Sequence, residues 1–175
     1  TELIEKDCAE IEYLQSVLES ISRCKCAADI AEIRQELSAA GYIRAATGNN
    51  RRRESVSAPT EFKSAEGYRI LVGKNNTQND LITTKIATKG DLWFHVKGIP
   101  GSHVVVMCGG NDVSDETVLF AARLAAKNSK ASTSSNIPVD YTPIKFVKKP
   151  NGAKPGMVIY TTNRTVFVTP QEETI

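Results

Sequence analysis

Residues 91–107 read Asp91-Leu92-Trp93-Phe94-His95-Val96-Lys97-Gly98-Ile99-Pro100-Gly101-Ser102-His103-Val104-Val105-Val106-Met107. Leu92, Phe94 and Val96 alternate with Trp93, His95 and Lys97, the period of a half-buried strand that sends the first set inward and the second to the opposite face. Pro100-Gly101 turns the chain, and 103–108 reads as a second strand, beside the first or bent into another part of the sheet. The only tryptophan and both histidines of the chain fall within these seventeen positions. Aromatic faces, imidazoles, a hydroxyl and a cation are the groups that hold a stacked base or a phosphate.

Working outward, the spacing predicts a strand over 68–72 and a tight turn at Gly73-Lys74-Asn75-Asn76. It also predicts a helix capped by Thr77 that runs through Ile86, with Leu81, Ile82 and Ile86 apolar. A second helix is expected over 115–128, capped by Ser114, with Val118, Leu119, Ala122, Leu124 and Ala125 toward the core. Strands follow at 139–147, 157–161 and 165–168, the first two separated by a basic turn, 148–156. Strands outnumber helices, so the predicted class is α+β: a mixed, mainly antiparallel sheet with two or three helices, over residues 60–175.

Toward the N-terminus, Ile4, Ile11 and Leu18 recur every seven residues with Leu14 and Ile21 beside them, an amphipathic helix of coiled-coil type. Asp29 and Glu32 have the spacing of a capping box, Ile30, Ile33 and Leu37 form an apolar side, and Gly41 ends a second helix. Residues 1–43 thus read as an α-helical hairpin at the end of a coiled coil. Two such helices bury little alone, so the hairpin should continue a longer coiled coil, lean on a partner or self-associate when excised. Residues 44–59 lack periodicity and read as a linker, with Arg51, Arg52 and Arg53 as a solvated charge run.

The formal net charge of +2 conceals a division. Residues 1–36 carry nine acids and four bases, whereas 37–175 carry eighteen bases and eleven acids, so the second part is drawn to polyanions. No apolar run approaches a membrane span and the acidic N-terminus does not fit a secretory signal. Cys8, Cys24, Cys26 and Cys108 lack the spacing of a zinc site or a disulfide framework, which points to free thiols in a reducing cytoplasm and to no metal or other cofactor.

Val72-Gly73-Lys74-Asn75-Asn76-Thr77-Gln78-Asn79-Asp80, then Lys85, then Asp91 through the Trp-Phe-His-Val-Lys and Pro-Gly-Ser-His segments together resemble the NFACT-R domain, the RNA-binding module of the NFACT family. The resemblance covers roughly residues 60–170, and 1–43 are similar to the end of the family's coiled coil. One departure is Gly98, where the motif usually carries a polar or acidic residue. The resemblance implies contacts with tRNA and large ribosomal subunit RNA in ribosome quality control. In that process the intact protein recruits tRNA for untemplated C-terminal tailing and the ribosome makes the peptide bonds. The chain is then expected to be part of a longer protein whose N-terminal domain lies elsewhere.

Read as chemistry, Lys74, Lys85, Lys97 and Arg123 are expected to neutralise phosphates. Asn75, Asn76, Asn79 and Ser102 are expected to donate to phosphate or sugar oxygens, and Trp93 or His95 to offer a stacking surface. His103 joins the set, with the role of a satisfied core histidine as its alternative, just as Trp93 can pack under the sheet and the asparagines can serve the turn. Two other classes compete. One is a hydrolase using His95 and His103 with Asp91 or Asp80, which lacks a nucleophile elbow, a phosphate loop or a metal cluster to support it. The other is an adhesin, raised by the fibronectin-binding label that bacterial family members carry.

Overall fold

A computed structural model describes residues 2–44 and 57–170 of the chain. The proposed linker arginines, Arg51 to Arg53, lie outside the described residues. Two helices, α1 (Glu2–Ser22) and α2 (Ala27–Ala39), precede β1 (Thr60–Lys63), β2 (Arg69–Val72), α3 (Asn76–Leu81), β3 (Leu92–Val96), β4 (Val104–Val106) and α4 (Asp115–Lys127). The chain continues through β5 (Ile137–Pro143), β6 (Val147–Lys148), β7 (Ile159–Tyr160) and β8 (Arg164–Val168). Six strands form one sheet in the order β1-β2-β4-β3-β5-β8, its five pairings all antiparallel, while β6 and β7 make a separate two-stranded ribbon. The fold is α+β, with the helical pair set before the sheet.

Strand alternation divides the sheet into two faces, both covered. Ile70, Val72, Phe94, Val96, Val104, Val106 and Val139 face α4, whose Val118, Ala121, Ala122 and Ala125 are small enough to let helix and sheet approach closely. Helix α4 begins where the spacing predicts, with the Ser114 hydroxyl accepting from the Thr117 amide at 3.3 Å. On the other face Leu71, Trp93 and Val105 pack against Ile82 and Ile144, with Val158 and Tyr160 closing the edge. Trp93, expected on an open polar face, is 1% exposed, because the segment after β2 and the ribbon fold over it.

That segment differs from the single capped helix predicted by spacing. Asn75, not Thr77, caps α3, its side chain accepting from the Gln78 amide at 2.9 Å. From Ile82 to Ile86 the helix widens into a π turn, closed by the Ala87 amide on the Ile82 carbonyl at 2.9 Å. Both Ile82 and Thr83 are buried. Ile82 reaches the Trp93 cluster, and the Thr83 hydroxyl lies 2.8 Å from His103 Nδ1. Strand β1 was not anticipated, since Thr-Glu-Phe-Lys offers one apolar residue. The paired Arg69–Glu61 hydrogen bonds, at 2.8 and 2.9 Å, help hold that edge.

The helical hairpin is also ordered differently from its sequence pattern. The heptad stripe faces outward, with Ile4 and Leu18 each 66% exposed, while Tyr13, Val17 and Ile33 form the buried cluster with Leu37, Tyr42 and Met157. Asp29 does not cap α2, which starts at Ala27. Its carboxylate instead accepts from the Lys25 amide at 3.0 Å. Glu32 and Glu36, one turn apart, are buried against the sheet domain. Glu36 accepts from the Tyr13 hydroxyl at 2.9 Å, the Asn76 amide at 3.1 Å and the Thr77 hydroxyl at 3.3 Å. Glu32 accepts from Asn75 at 2.7 Å and Gln78 at 2.9 Å. The hairpin therefore leans on its own chain.

Glu36→Ala removes an acceptor shared by three donors and leaves Tyr13 and Asn76 buried with fewer partners. Loss of such an acceptor costs about 1–3 kcal/mol. Denaturant unfolding should show a loss in that range, with amide exchange accelerating in α2 before the sheet. Unchanged exchange in α2 would mean that the carboxylate does not hold the hairpin.

Candidate nucleic-acid interface

The bend between β2 and α3 is built by close approach. A Cβ at Gly73 would lie 2.1 Å from Asn79 Oδ1 and 2.9 Å from the Asn79 backbone nitrogen, so only glycine fits. Asn79 in turn accepts from the His103 amide at 3.0 Å, and the Gly73 amide donates to the His103 carbonyl at 3.1 Å. Ser102 donates to the Gly73 carbonyl and accepts from the Arg23 guanidinium at 2.7 Å. These contacts tie the bend, the turn after β3 and the end of α1 into one junction.

The predicted site residues fall into two groups there. Asn75, Asn76, Asn79, Ser102, His103 and Trp93 are buried, and side-chain hydrogen bonds within the chain engage all but Trp93, whose indole Nε1 has no hydrogen-bond partner among the described residues. Lys74 and Arg123 are half-buried, Lys85 and Lys97 exposed, and His95 partly exposed. Lys74 lines the cleft at the bend and His95 stacks on Trp93, whereas Arg123 rides on α4 behind the sheet, beside Lys63 and Glu116. Arg123 is thus not brought together with the aromatic groups.

His95 and Trp93 lie with ring planes 16° apart and centroids 5.7 Å apart, and His103 stands edge-on to both at 83°. Burial pushes the His95 imidazole down to about 4, against the opposing pull of the Gly101 backbone and of Asp140, its cross-strand neighbour. His103 is held well below the usual imidazole range, by burial first and then by His95. Both rings are therefore neutral near pH 7 and present faces and edges, not positive charge. Asp91, considered as an acid–base partner, accepts from the Thr88 and Gly109 amides at 2.7 Å each, and Asp80 binds Lys149 and the Gly156 amide. Each carboxylate holds a turn.

Cations gather in a cleft of about 560 Å³ between the α1–α2 loop and the bend. Arg23, Lys25, Lys74 and Lys127 line it, with Asp29 the acid among them. Arg23, Lys25 and Lys127 were not singled out in the sequence. The excess of bases after residue 37 hinted at Lys127, but Arg23 and Lys25 sit in the acidic N-terminal part and join the cleft only through hairpin docking. Gly98 has φ 65° with open space where a Cβ would stand. Asn and Asp tolerate that region best after glycine, so a glycine and a short polar residue satisfy the same backbone demand there.

Residues 59–161 match the family model described as the NFACT protein RNA binding domain, and residues 1–56 that of the NFACT N-terminal and middle domains. The chain is 45% identical to the Rqc2 homolog RqcH of Bacillus subtilis, across 95% of the chain and 29% of that protein. It is also 45% identical to the one from Streptococcus suis, across all of the chain and 31% of that protein. It spans about three tenths of the length of these relatives. A solved structure of the C-terminal of the fibronectin/fibrinogen-binding protein from Streptococcus suis matches with TM-score 0.89 and 44% identity, covering 98% of this chain and 68% of that one. The helical pair and the sheet are thus matched together. Among the described residues, no helix is long and apolar enough to cross a membrane.

The lowered His95 value fixes a pH dependence. Above about pH 6.5 folded and unfolded chains both carry a neutral ring, but on acidification the unfolded chain takes up its proton first, so stability falls toward pH 4 and then levels for this group. The loss is at most about 1.4 kcal/mol per unit of pKa separation, reduced by the ring's partial exposure. Urea titrations across this window should show that decline, and His95→Gln should make it shallower, the buried His103 supplying the remainder. An unaltered profile would mean that the ring titrates normally.

Proposed function

The chain belongs to the NFACT family, and on that premise we propose that it is an RNA-binding module of a ribosome quality control factor, holding nucleic acid through the hairpin–sheet junction without reacting with it. The observation that carries this reading is the convergence of Arg23, Lys25, Lys74 and Lys127 on one cleft. A phosphate backbone lying across the junction releases counterions from several phosphates, the dominant source of affinity in such complexes. Lys85 and Lys97 extend the positive surface past the Trp93 face, so a strand crossing the bend meets them next. The buried asparagines and Ser102 act from beneath by fixing the backbone that carries Lys74.

The RNA is tRNA together with RNA of the large ribosomal subunit, met in the cytoplasm, and the module helps to recruit tRNA for C-terminal tailing while the ribosome performs the chemistry. Hydrolysis by the histidines is not favoured, since His103 is buried, His95 is only partly exposed, and carboxylates Asp80 and Asp91 serve turns. Fibronectin binding is not favoured either. Fibronectin/fibrinogen binding is named for the Streptococcus suis protein.

Titration with tRNA should give an affinity that falls steeply with salt. Lys74→Glu and Lys97→Glu should each weaken it by about tenfold or more and lower the slope of log affinity against log salt by about 1. Arg123→Glu, behind the sheet, should do less. Indifference to all three changes would discard this surface, and tight binding of fibronectin that RNA fails to displace would favour the adhesin.

A further inference from the structure

The sheet face that carries Trp93 is filled for two rows of side chains and open at the third. Cross-strand register sets the rows: Trp93 lies beside Thr142, His95 beside Asp140 and then Thr165, and Pro138 beside Phe167. The Lys97 amide donates to the Pro138 carbonyl at 3.0 Å, which adds Lys97 to the third row. Val96, Val139, Val166 and Val168 turn toward α4, so Lys97, Pro138 and Phe167 project to the opposite face. Ile82 and Tyr160 close the first row, while the second is filled by His103 against His95 and by the Tyr160 and Thr165 hydroxyls on Asp140. In the third, Phe167 is 61% exposed and Lys97 is exposed with it. Two strand spacings of about 4.8 Å put these two residues about 10 Å apart across the sheet.

A single exposed apolar side chain signals nothing by itself. Phe167 differs in its neighbours. From Thr117 to Pro170 the sequence holds eight bases and one acid, Asp140, which is 2% exposed and already engaged by two hydroxyls. The ring therefore stands on a surface drawn to polyanions. Backbone contacts also join the row to the cationic cleft, which Lys127 and Asn128 line. The Asn128 carbonyl accepts from the Ser102 amide at 2.9 Å and the Lys130 amide donates to Pro100 at 3.0 Å, so the turn that begins at Lys97 is bound to the cleft wall. Strand β8 is also an open sheet edge, where a peptide strand could pair. Such a strand would use backbone groups along β8 and would have no use for Lys97, which lies two strands away.

We propose that the Lys97–Pro138–Phe167 row is a stacking site for one unpaired base of single-stranded RNA, the base lying on the Phe167 ring while Lys97 neutralises an adjoining phosphate. The inference rests on the RNA-binding reading and adds to it a preference for strand state. Phosphates are carried by paired and unpaired RNA alike, so the cations of the cleft do not tell the two apart. An aromatic face takes only a base that has left its own stack, and it accepts any base because each has a π face. The row thus selects unpaired RNA without reading its sequence.

Fluorescence anisotropy of a labelled oligouridine titrated with the whole chain tests this. Phe167→Leu, which keeps an apolar side chain and should leave urea unfolding unchanged, should weaken binding by about fivefold to a hundredfold, the range that a lost stacking contact gives. Phe167→Tyr, which keeps the ring, should bind as the parent does. The slope of log affinity against log salt should stay as it was in Phe167→Leu and fall by about 1 in Lys97→Glu. A fully paired RNA duplex should bind the parent and Phe167→Leu equally. Oligouridine binding untouched by Phe167→Leu, in a protein whose tRNA binding still falls with Lys74→Glu, would overturn the stacking site and leave the RNA module standing. Equal losses for oligouridine and duplex would overturn it as well. Dimerisation abolished by Phe167→Leu, with oligouridine binding intact, would assign the row to strand addition by a second copy instead. Absence of binding to any of these RNAs would overturn the RNA-binding reading itself.

Discussion

Two buried carboxylates on successive turns of α2 hold this structure in its working arrangement. Glu32 and Glu36 reach across to Asn75, Asn76, Thr77 and Gln78, and hydrogen bonds to an ionised acceptor are roughly twice as strong as neutral ones. A carboxylate taken from water needs such donors, since burial without them is costly. The same amides cap α3 and fix the bend behind β2, so helix start, turn geometry and hairpin docking are solved by one set of side chains. This explains why a hairpin with an outward-facing apolar stripe can nonetheless rest against the sheet.

From that constraint the electrostatic layout follows. Docking brings Arg23 and Lys25, from an acidic segment, alongside Lys74 and Lys127, and so assembles a positive cleft from distant parts of the chain. The two histidines, held neutral by desolvation, pack their rings against the buried Trp93. Cations and rings are thereby kept apart, the former lining the cleft and the latter packed around Trp93.

Much of the fold was legible because alternation and capping are local. Leu92, Phe94 and Val96 do turn toward α4, and Ser114 does cap it. The errors share one cause, tertiary contacts overriding local pattern. Asn75 displaced Thr77 as a cap because Gln78 and Glu32 both bind its amide side chain, and the π turn at Ile82–Ile86 arose where Ile82 and Thr83 both met the sheet. The heptad in α1 correctly marked an apolar stripe, but residues off that stripe, Tyr13 and Val17, contact the domain. For the candidate site, sequence singled out the bend and, of the four cations that line the cleft, Lys74 alone. It could not show that Asn75 and Asn76 point inward, because their role depends on two glutamates forty or more positions away.

The central claim is that RNA lies on the hairpin–sheet junction. Hydrogen–deuterium exchange of the whole chain, with and without tRNA, tests it most directly. The account predicts protection concentrated in the α1–α2 loop at 22–26, the bend at 73–79 and the turn at 97–103, with the solvent face of α4 unchanged. Protection confined to α4 and β1, with the junction exchanging as freely as before, would contradict it.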